Sequence, residues 1–133
     1  MNLIDTNVIV RFLTADENPK FMGVYRLFSR LEDNLEKVEL KALVFFQTIF
    51  VLISFYKVKR EDICNIMVDI ISLPGIYMEK KTLYKRTLEI FRTENIEIID
   101  SYLLACMEQH PDSRLYSYDQ NFNRFGINRV EPL

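Results

Sequence analysis

The chain has 133 residues, of which 49% are hydrophobic, so it can build one sizeable core and is too apolar for a disordered protein. Its net charge of −2 argues against a basic face for duplex nucleic acid. It does not exclude a nuclease, because a site made of carboxylates is itself negative. No apolar run reaches the roughly 18 residues of a membrane span, and the N-terminus lacks the basic start of a signal peptide.

The two cysteines, Cys64 and Cys106, lie far apart and in no metal-like spacing. Both fall in apolar helical patterns, so we expect small buried side chains with free thiols. Free thiols and the lack of a signal-like start predict a cytoplasmic protein. The length predicts a single domain over residues 1–133.

The first half of the chain alternates short apolar runs with helical patterns. Asn18-Pro19 is a typical helix start, because Asn caps the first turn and Pro tolerates the first helical position. The segment 43–56 is apolar nearly all round, which predicts a buried helix. The predicted elements are a buried strand at 2–4, helices at 8–13 and from Pro19 to about 34, a strand at 38–41 and the helix at 43–56.

The second half repeats this alternation. The predicted elements are helices at 60–71, from Thr82 and at 100–109, strands at 76–78 and 115–117, a turn with a short helix at 119–125, and an edge strand at 129–131. Strands thus alternate with helices throughout. This pattern predicts an α/β domain in which helices flank a mainly parallel sheet of five strands.

Three aspartates are the main candidates for chemistry. In α/β sheets, ligands bind beyond the carboxyl ends of the strands, and Asp5 follows the first predicted strand while Asp119 follows the fourth. Asp100 opens a predicted helix whose start can face the same edge in so small a domain. Each of the three can instead be a plain N-cap, because a cap carboxylate accepts a backbone N–H and the helix dipole favours an anion.

Three carboxylates that converge at one edge would repel one another unless a divalent cation bound among them. Mg²⁺ or Mn²⁺ with oxygen ligands suits hydrolysis of a phosphodiester, since the metal activates a water and offsets charge on the phosphate. The pattern is therefore compatible with a metal-dependent nuclease. It does not by itself decide between metal ligands and helix caps.

Three stretches are more specific together, through their order and spacing, than any one of them alone. They are LIDTNVIVRFLT at 3–14, IDSYLLA at 99–105 and YSYDQNF at 116–122. Together they resemble the motifs of PIN-domain proteins, especially VapC-type toxins of toxin–antitoxin systems. The resemblance implies a parallel sheet flanked by helices, and a Mg²⁺- or Mn²⁺-dependent ribonuclease with Asp5, Asp100 and Asp119 as catalytic residues and metal ligands. It also implies an RNA substrate, frequent homodimers and inhibition by a small antitoxin protein.

The chain departs from this family pattern at up to two acidic positions. In LVFFQTIFVL at 43–52, Gln47 stands where the family has Glu, and Asn121 and Asn123 occupy the stretch after Asp119 where a further acid is common. Gln and Asn offer carbonyl oxygens to a cation but no charge, so we expect weaker metal binding. The alternative interpretation is a catalytically impaired PIN domain that acts as a binding or regulatory module.

Other polar residues around these motifs are open to two interpretations. Thr6, Asn7 and Ser117 can hydrogen-bond the carboxylates from a second layer, or they can be plain turn residues. Arg11 can contact RNA phosphate or pair with an acid. We expect Asp16 to be solvated.

His110 is expected to cap a helix end. The plentiful Tyr and Phe sit mostly at core spacing, so they do not indicate a surface for base stacking. The helical segments 43–56 and 63–71 are expected to have exposed apolar faces, because these faces exceed what one small sheet must cover. They predict a homodimer, and a groove that accepts an antitoxin helix.

Two other α/β classes with acidic pockets fit less well. A receiver-type signalling domain needs an acidic pair after the first strand and a Lys after the fifth, whereas Asn7 follows Asp5 and the last strand ends in Glu131-Pro132. A phosphatase of the haloacid-dehalogenase type needs an Asp-x-Asp pair, and Asn7 stands in place of its second Asp.

Overall fold

The computed structural model describes residues 1–133 as six α-helices, two 3-10 helices and five short strands. The α-helices are α1 (Thr6–Leu13), α2 (Met22–Glu32), α3 (Ala42–Ser54), α4 (Arg60–Ile71), α5 (Lys81–Thr93) and α6 (Ile98–Gln109). The strands are β1 (Asn2–Leu3), β2 (Val38–Glu39), β3 (Ile76–Tyr77), β4 (Leu115–Tyr116) and β5 (Arg129–Val130). The 3-10 helices cover Pro19–Phe21 and Gln120–Phe125. This mixture of strands and helices confirms the predicted α/β class.

The chain divides into two units, residues 1–81 and 82–133, and each unit has its own sheet. In the first unit, β2 pairs in parallel with both β1 and β3. In the second unit, β4 pairs in parallel with β5. The predicted parallel arrangement is confirmed, but the single five-stranded sheet is wrong. Each strand offers only two residues for pairing, and these pair only with strands of the same unit.

The first strand is less buried than predicted. Leu3 is 64% exposed, and of the segment 2–4 only Ile4 is buried. β1 lies at the edge of the sheet order β1-β2-β3, so it pairs with one strand of this sheet only. The Ile4 N–H still donates to Glu39 O at 3.2 Å, which continues the strand pairing up to the residue before Asp5.

The start of the second helical segment follows the capping chemistry predicted for Asn18-Pro19. The Asn18 side chain accepts a hydrogen bond from Lys20 N–H at 3.0 Å, and Pro19 opens a 3-10 turn that runs into α2. α2 ends at Glu32, slightly earlier than predicted. Asn34 has a φ of 59°, in the left-handed region, which a right-handed helix cannot contain.

The helix that carries Asp100 begins earlier than predicted. α6 starts at Ile98 with Glu97 at its N-cap, so Asp100 lies inside the first turn and is not the cap. From the sequence, the pair Ile98-Ile99 resembles the end of a strand, because both residues are apolar and β-branched. α5 likewise begins at Lys81 and not at Thr82.

The apolar helices of the first unit are buried to different extents than predicted. α3 exposes one stripe, since Leu43 is 83% and Phe50 45% exposed, so it is not buried all round. α4 buries its apolar face, so the predicted exposed face at 63–71 is wrong. The buried residues are Phe45, Phe46, Thr48, Ile49 and Leu52 of α3, and Ile63, Cys64, Met67, Ile70 and Ile71 of α4.

Both cysteines are free thiols, with Cys64 buried as predicted and Cys106 only partly buried. None of the helices combines the length and the apolar composition that crossing a membrane requires.

In the second unit, α5 and α6 contribute to a small apolar cluster. Its buried members are Leu83, Ile90, Leu104, Ala105 and Phe122. Arg86 of α5 joins the two helices at the surface through a two-pronged hydrogen bond to Glu108 of α6, at 2.8 and 2.7 Å. Because Phe122 belongs to the 3-10 helix that follows Asp119, its burial anchors that turn on the helices.

One backbone crossing joins the elements of the first unit. The Gly75 N–H donates to Leu31 O at 2.8 Å, and Gly75 O accepts from Val38 N–H at 2.9 Å. These bonds connect the end of α2 with the starts of β2 and β3. A Cβ at position 75 would overlap the carbonyl oxygen of Glu36 and lie 2.7 Å from Leu31 Cα. Both are backbone atoms, so the crossing requires glycine.

Gly75→Ala is expected to lower the free energy of unfolding by about 1–3 kcal/mol or more, because the new methyl group forces the backbone segments apart. Gly23→Ala is the matched control. Its Cβ would meet only Arg26 Nη2, at 3.6 Å, and alanine within α2 should stabilise by roughly 0.5–1 kcal/mol. Urea unfolding of both variants measures the difference, and equal effects would show that the crossing tolerates a side chain.

Candidate functional site

Asp5 stands at the carboxyl end of β1 and at the N-terminus of α1. Its backbone carbonyl accepts hydrogen bonds from the N–H groups of Val8 and Ile9, which start the helix. Its carboxylate makes no capping hydrogen bond, and the residue is exposed. Of the two interpretations left open for Asp5, the side-chain cap is therefore wrong. Its charge remains available at the positive end of the helix dipole.

Thr6 and Gln47, which are 41 positions apart, meet directly after Asp5. Thr6 is buried as the first residue of α1, and its hydroxyl donates to Gln47 Oε1 at 2.8 Å. Gln47 lies on the exposed stripe of α3, between Leu43 and Phe50. The position where the family pattern has Glu thus contacts the residue that follows Asp5.

Asp100 lies in the first turn of α6 and is partly buried. Burial raises the pKa of this carboxyl, and the negative charges of Asp119 and Glu97 raise it further. The second unit therefore brings two of the three predicted aspartates, Asp100 and Asp119, within range of each other's charge.

Asp119 does act as a helix cap, with one of its two oxygens. Its Oδ1 accepts a hydrogen bond from Asn121 N–H at 2.9 Å, at the start of the 3-10 helix. Its own N–H donates to Ser117 Oγ at 3.0 Å. The Ser117 side chain and the Asn121 backbone therefore hold the turn at Asp119. The side chains of the two candidate asparagines, Asn7 and Asn121, are exposed. Asp119 Oδ2 makes no hydrogen bond.

Arg129 is a residue near Asp119 that the sequence did not single out. Its guanidinium donates to Asn123 Oδ1 and to Ser117 O, each at 2.7 Å. Asn123, which occupies a position where the family often has an acid, is thus engaged by an arginine. The signal in the sequence was an arginine in the predicted final strand. If such an arginine is partly buried, its guanidinium needs hydrogen-bonding partners. The sequence does not reveal which partners those are.

The remaining polar candidates have structural roles. Arg11 pairs with Asp16 at 2.9 Å and lies over the Phe21 ring at 4.3 Å, so its pairing with an acid is the interpretation that holds. Asp16 is consequently partly buried, so the prediction that it is solvated is wrong. His110 is the C-cap of α6, as predicted, and donates its backbone N–H to Met107 O at 3.1 Å.

The sequence model of the PIN domain family matches residues 3–128. The chain belongs to the PIN domain family. The matched range includes all three stretches on which the resemblance in the sequence rested, so that resemblance is confirmed.

This PIN domain is also similar to a protein described as a VapC ribonuclease, from Aquifex aeolicus (strain VF5). The two sequences are 23% identical over 132 residues, which cover 99% of this chain and 97% of that protein. The likeness therefore extends over nearly the full length of both proteins and is not confined to one motif.

PIN nucleases generally use divalent metal ions, and this PIN domain has oxygen ligands of the type that such ions prefer. Asp100 and Asp119 offer hard oxygen ligands, and a cation would offset the cost of their mutual repulsion and of the burial of Asp100. They do not amount to a complete site, because no group of three or more His, Cys, Asp or Glu side chains is arranged to hold a metal. The full ligand set stays a prediction.

Asp100→Asn is expected to stabilise the metal-free protein at neutral pH. A raised pKa means that the folded state disfavours the ionised carboxylate, so the penalty is present above the folded-state pKa. It disappears well below the ordinary value of 3.8. Because the group is largely solvated, the gain should stay below about 1 kcal/mol.

Thermal unfolding in EDTA at about pH 7 and about pH 3 measures this gain, and the exposed Asp112→Asn serves as the control. A gain of the same size at both pH values would contradict the role assigned to charge at Asp100.

Proposed function

We propose that this PIN domain is a metal-dependent endoribonuclease that hydrolyses RNA phosphodiester bonds and acts as the toxin of a toxin–antitoxin pair. The family match over residues 3–128 and the likeness to a VapC ribonuclease support this function. The proposed catalytic residues and metal ligands are Asp5, Asp100 and Asp119.

The observation that carries the proposal is that the Asp5 carboxylate makes no capping hydrogen bond. An Asp before a helix commonly accepts a backbone N–H, which stabilises the helix. Asp5 makes no such bond and is exposed at the end of a parallel strand, where α/β proteins bind their ligands. An acid that stands there with no capping hydrogen bond to its carboxylate has that carboxylate available for a ligand.

The proposed Mg²⁺ or Mn²⁺ would be held by the three carboxylates, with Gln47 offering a neutral oxygen. When bound, such a cation activates a water and offsets negative charge on the phosphate. Gln47 Oε1 already accepts the Thr6 hydroxyl, so one lone pair is left for another partner. With this reduced charge we expect weak binding, and Mn²⁺ should bind better than Mg²⁺, which dehydrates reluctantly.

The neighbouring side chains orient these acids. Ser117 fixes the backbone of Asp119, and the Asn121 N–H fixes one of its oxygens. Thr6, which is buried, fixes the direction of the Gln47 amide. Asn7 and the Asn121 side chain are exposed, and in this proposal they are outer hydrogen-bond partners of the carboxylates or of the RNA.

Gln47→Glu is expected to raise Mn²⁺ affinity about 5- to 30-fold, which corresponds to about 1–2 kcal/mol. The new carboxylate adds one negative charge next to Thr6 and can still accept its hydroxyl. Cleavage should rise with it, and Asp5→Asn or Asp100→Asn should abolish cleavage. Calorimetry with Mn²⁺ and single-turnover cleavage of a fluorescent oligoribonucleotide measure the two effects.

Gln109→Glu makes the same change in charge at the exposed far end of α6 and is the matched control. If Gln47→Glu changes neither metal affinity nor cleavage while Asp5→Asn still abolishes activity, Gln47 does not belong to the site.

A second candidate function is a PIN domain without catalysis that acts as a binding or regulatory module. The neutral Gln47, which stands where the family pattern has Glu, favours it. If neither the natural protein nor Gln47→Glu cleaves RNA at any Mn²⁺ concentration, this function is the better one. Growth arrest on overexpression that Asp5→Asn relieves would decide for the ribonuclease.

We propose that two copies associate through the exposed stripe of α3. Leu43 and Phe50 present apolar surface on either side of Gln47, at 83% and 45% exposure. Phe50→Glu is expected to turn a dimer into a monomer in light scattering, because association would bury the new charge. Leu35→Glu, at an apolar side chain that is 75% exposed outside the helices, should leave the dimer intact. A natural protein that stays monomeric at high concentration would contradict the proposal.

We further propose that an antitoxin helix binds the groove formed by α1, α2 and α4. Phe12 stacks on Phe28 in this groove with ring centroids 4.0 Å apart, and Leu73 adds apolar surface. Glu32 and Asp69 also line it, and both are exposed. The groove therefore suits an amphipathic helix with an apolar face and a basic residue beside it.

A further inference from the structure

The side chain of Arg129 connects β5 with both ends of the loop that carries Asp119. It is only 13% exposed, and its Nε donates to Asn123 Oδ1 at 2.7 Å. Its Nη1 donates to Ser117 O at 2.7 Å and to Glu131 Oε1 at 3.1 Å. One guanidinium thus holds the residue two positions before Asp119 and the residue four positions after it.

The geometry of the guanidinium suits this role. Its donors lie in a rigid plane, so two acceptors bound to different nitrogens are fixed relative to each other. A lysine has one nitrogen on a flexible stem, so it can serve one acceptor firmly but does not fix two. The backbone of β5 adds to the connection, since Ser117 N–H donates to Val130 O at 3.0 Å.

Within the loop, Asp119 is held by bonds that depend on where Ser117 stands. The Asp119 N–H donates to Ser117 Oγ at 3.0 Å, and Asp119 Oδ1 accepts from Asn121 N–H at 2.9 Å. A shift of Ser117 would therefore move the backbone of Asp119 and redirect its second oxygen. Arg129 fixes Ser117 through its hydrogen bond to the Ser117 carbonyl oxygen, and it makes no hydrogen bond to Asp119 itself.

We infer that Arg129 is a positioning residue for Asp119, an inference that rests on the proposed ribonuclease function. Asn123 is then the second residue, besides Ser117, to which Arg129 is anchored. It is not a weakened metal ligand, because its carbonyl oxygen faces a cationic donor at 2.7 Å. A residue that acts through loop geometry should affect the turnover step more than the binding of substrate.

The test compares Arg129→Lys and Asn123→Ala with a matched control, Arg86→Lys. Arg86 makes a two-pronged bond to Glu108 between α5 and α6, so its loss weakens the second unit without touching the Asp119 loop. Steady-state RNA cleavage at saturating Mn²⁺ gives kcat and KM. NMR amide exchange of Asp119 and Asn121 reports on the loop in the absence of metal and RNA.

Arg129→Lys should lower kcat about 10- to 100-fold with KM changed less than about threefold, and excess Mn²⁺ should not restore it. The amides of Asp119 and Asn121 should exchange at least about tenfold faster, since the bonds that protect them are loosened. Asn123→Ala removes one of the two anchors and should give a smaller effect of the same kind. Arg86→Lys should change neither quantity.

Unchanged exchange at Asp119 and Asn121 in Arg129→Lys would overturn the inference, as would recovery of full kcat with excess Mn²⁺. If the natural protein cleaves no RNA, the proposed function fails and the exchange measurement alone decides whether Arg129 positions the Asp119 loop. Should Arg129→Lys fail to fold, Asn123→Ala decides through the same two measurements, because it leaves the Arg129 bond to Ser117 in place.

Discussion

The backbone crossing at Gly75 is the constraint on which the first unit depends. Three chain segments meet there at distances that only a glycine allows, with the end of α2 on one side and the starts of β2 and β3 on the other. The crossing sets β2 in the centre of the parallel sheet, and β1 adds to its free side. Since Asp5 directly follows the last paired residue of that edge, its place in the fold derives from a contact distant in sequence.

The candidate acids differ in what they contribute to stability. Asp119 caps a helix with one oxygen, so part of its charge serves the fold. The Asp5 side chain makes no capping hydrogen bond. Burial and the charges of Asp119 and Glu97 raise the pKa of Asp100, so the folded state disfavours the charge of Asp100. Groups that a fold keeps against its own stability are commonly found at functional sites. By this criterion Asp100 is a stronger candidate than Asp119, although both lie near a helix start.

The sequence predicts best where one residue type has a local reason for its place. Asn18 before Pro19 and Asp119 before its short helix are such cases, since both caps depend on residues two positions away. The sequence predicts poorly where contacts between residues distant along the chain decide the local structure. The apolar pair before Asp100 suits either a strand or a helix, and the division of the strands between two sheets depends on partners that no local pattern specifies. The bonds of Arg129 to a backbone carbonyl and an amide leave no signature in the sequence.

The stripe on which Gln47 lies has a consequence for how this position can evolve. A surface that covers Leu43 and Phe50 also covers the side chain between them. A carboxylate enclosed there would lose its water and would need a cation as compensation, whereas the amide can be enclosed with its oxygen bonded to Thr6. Selection for a stable assembly and selection for a strongly charged pocket would thus act on the same codon in opposite directions. A glutamine is therefore the side chain that the proposed association of two copies would favour at this position.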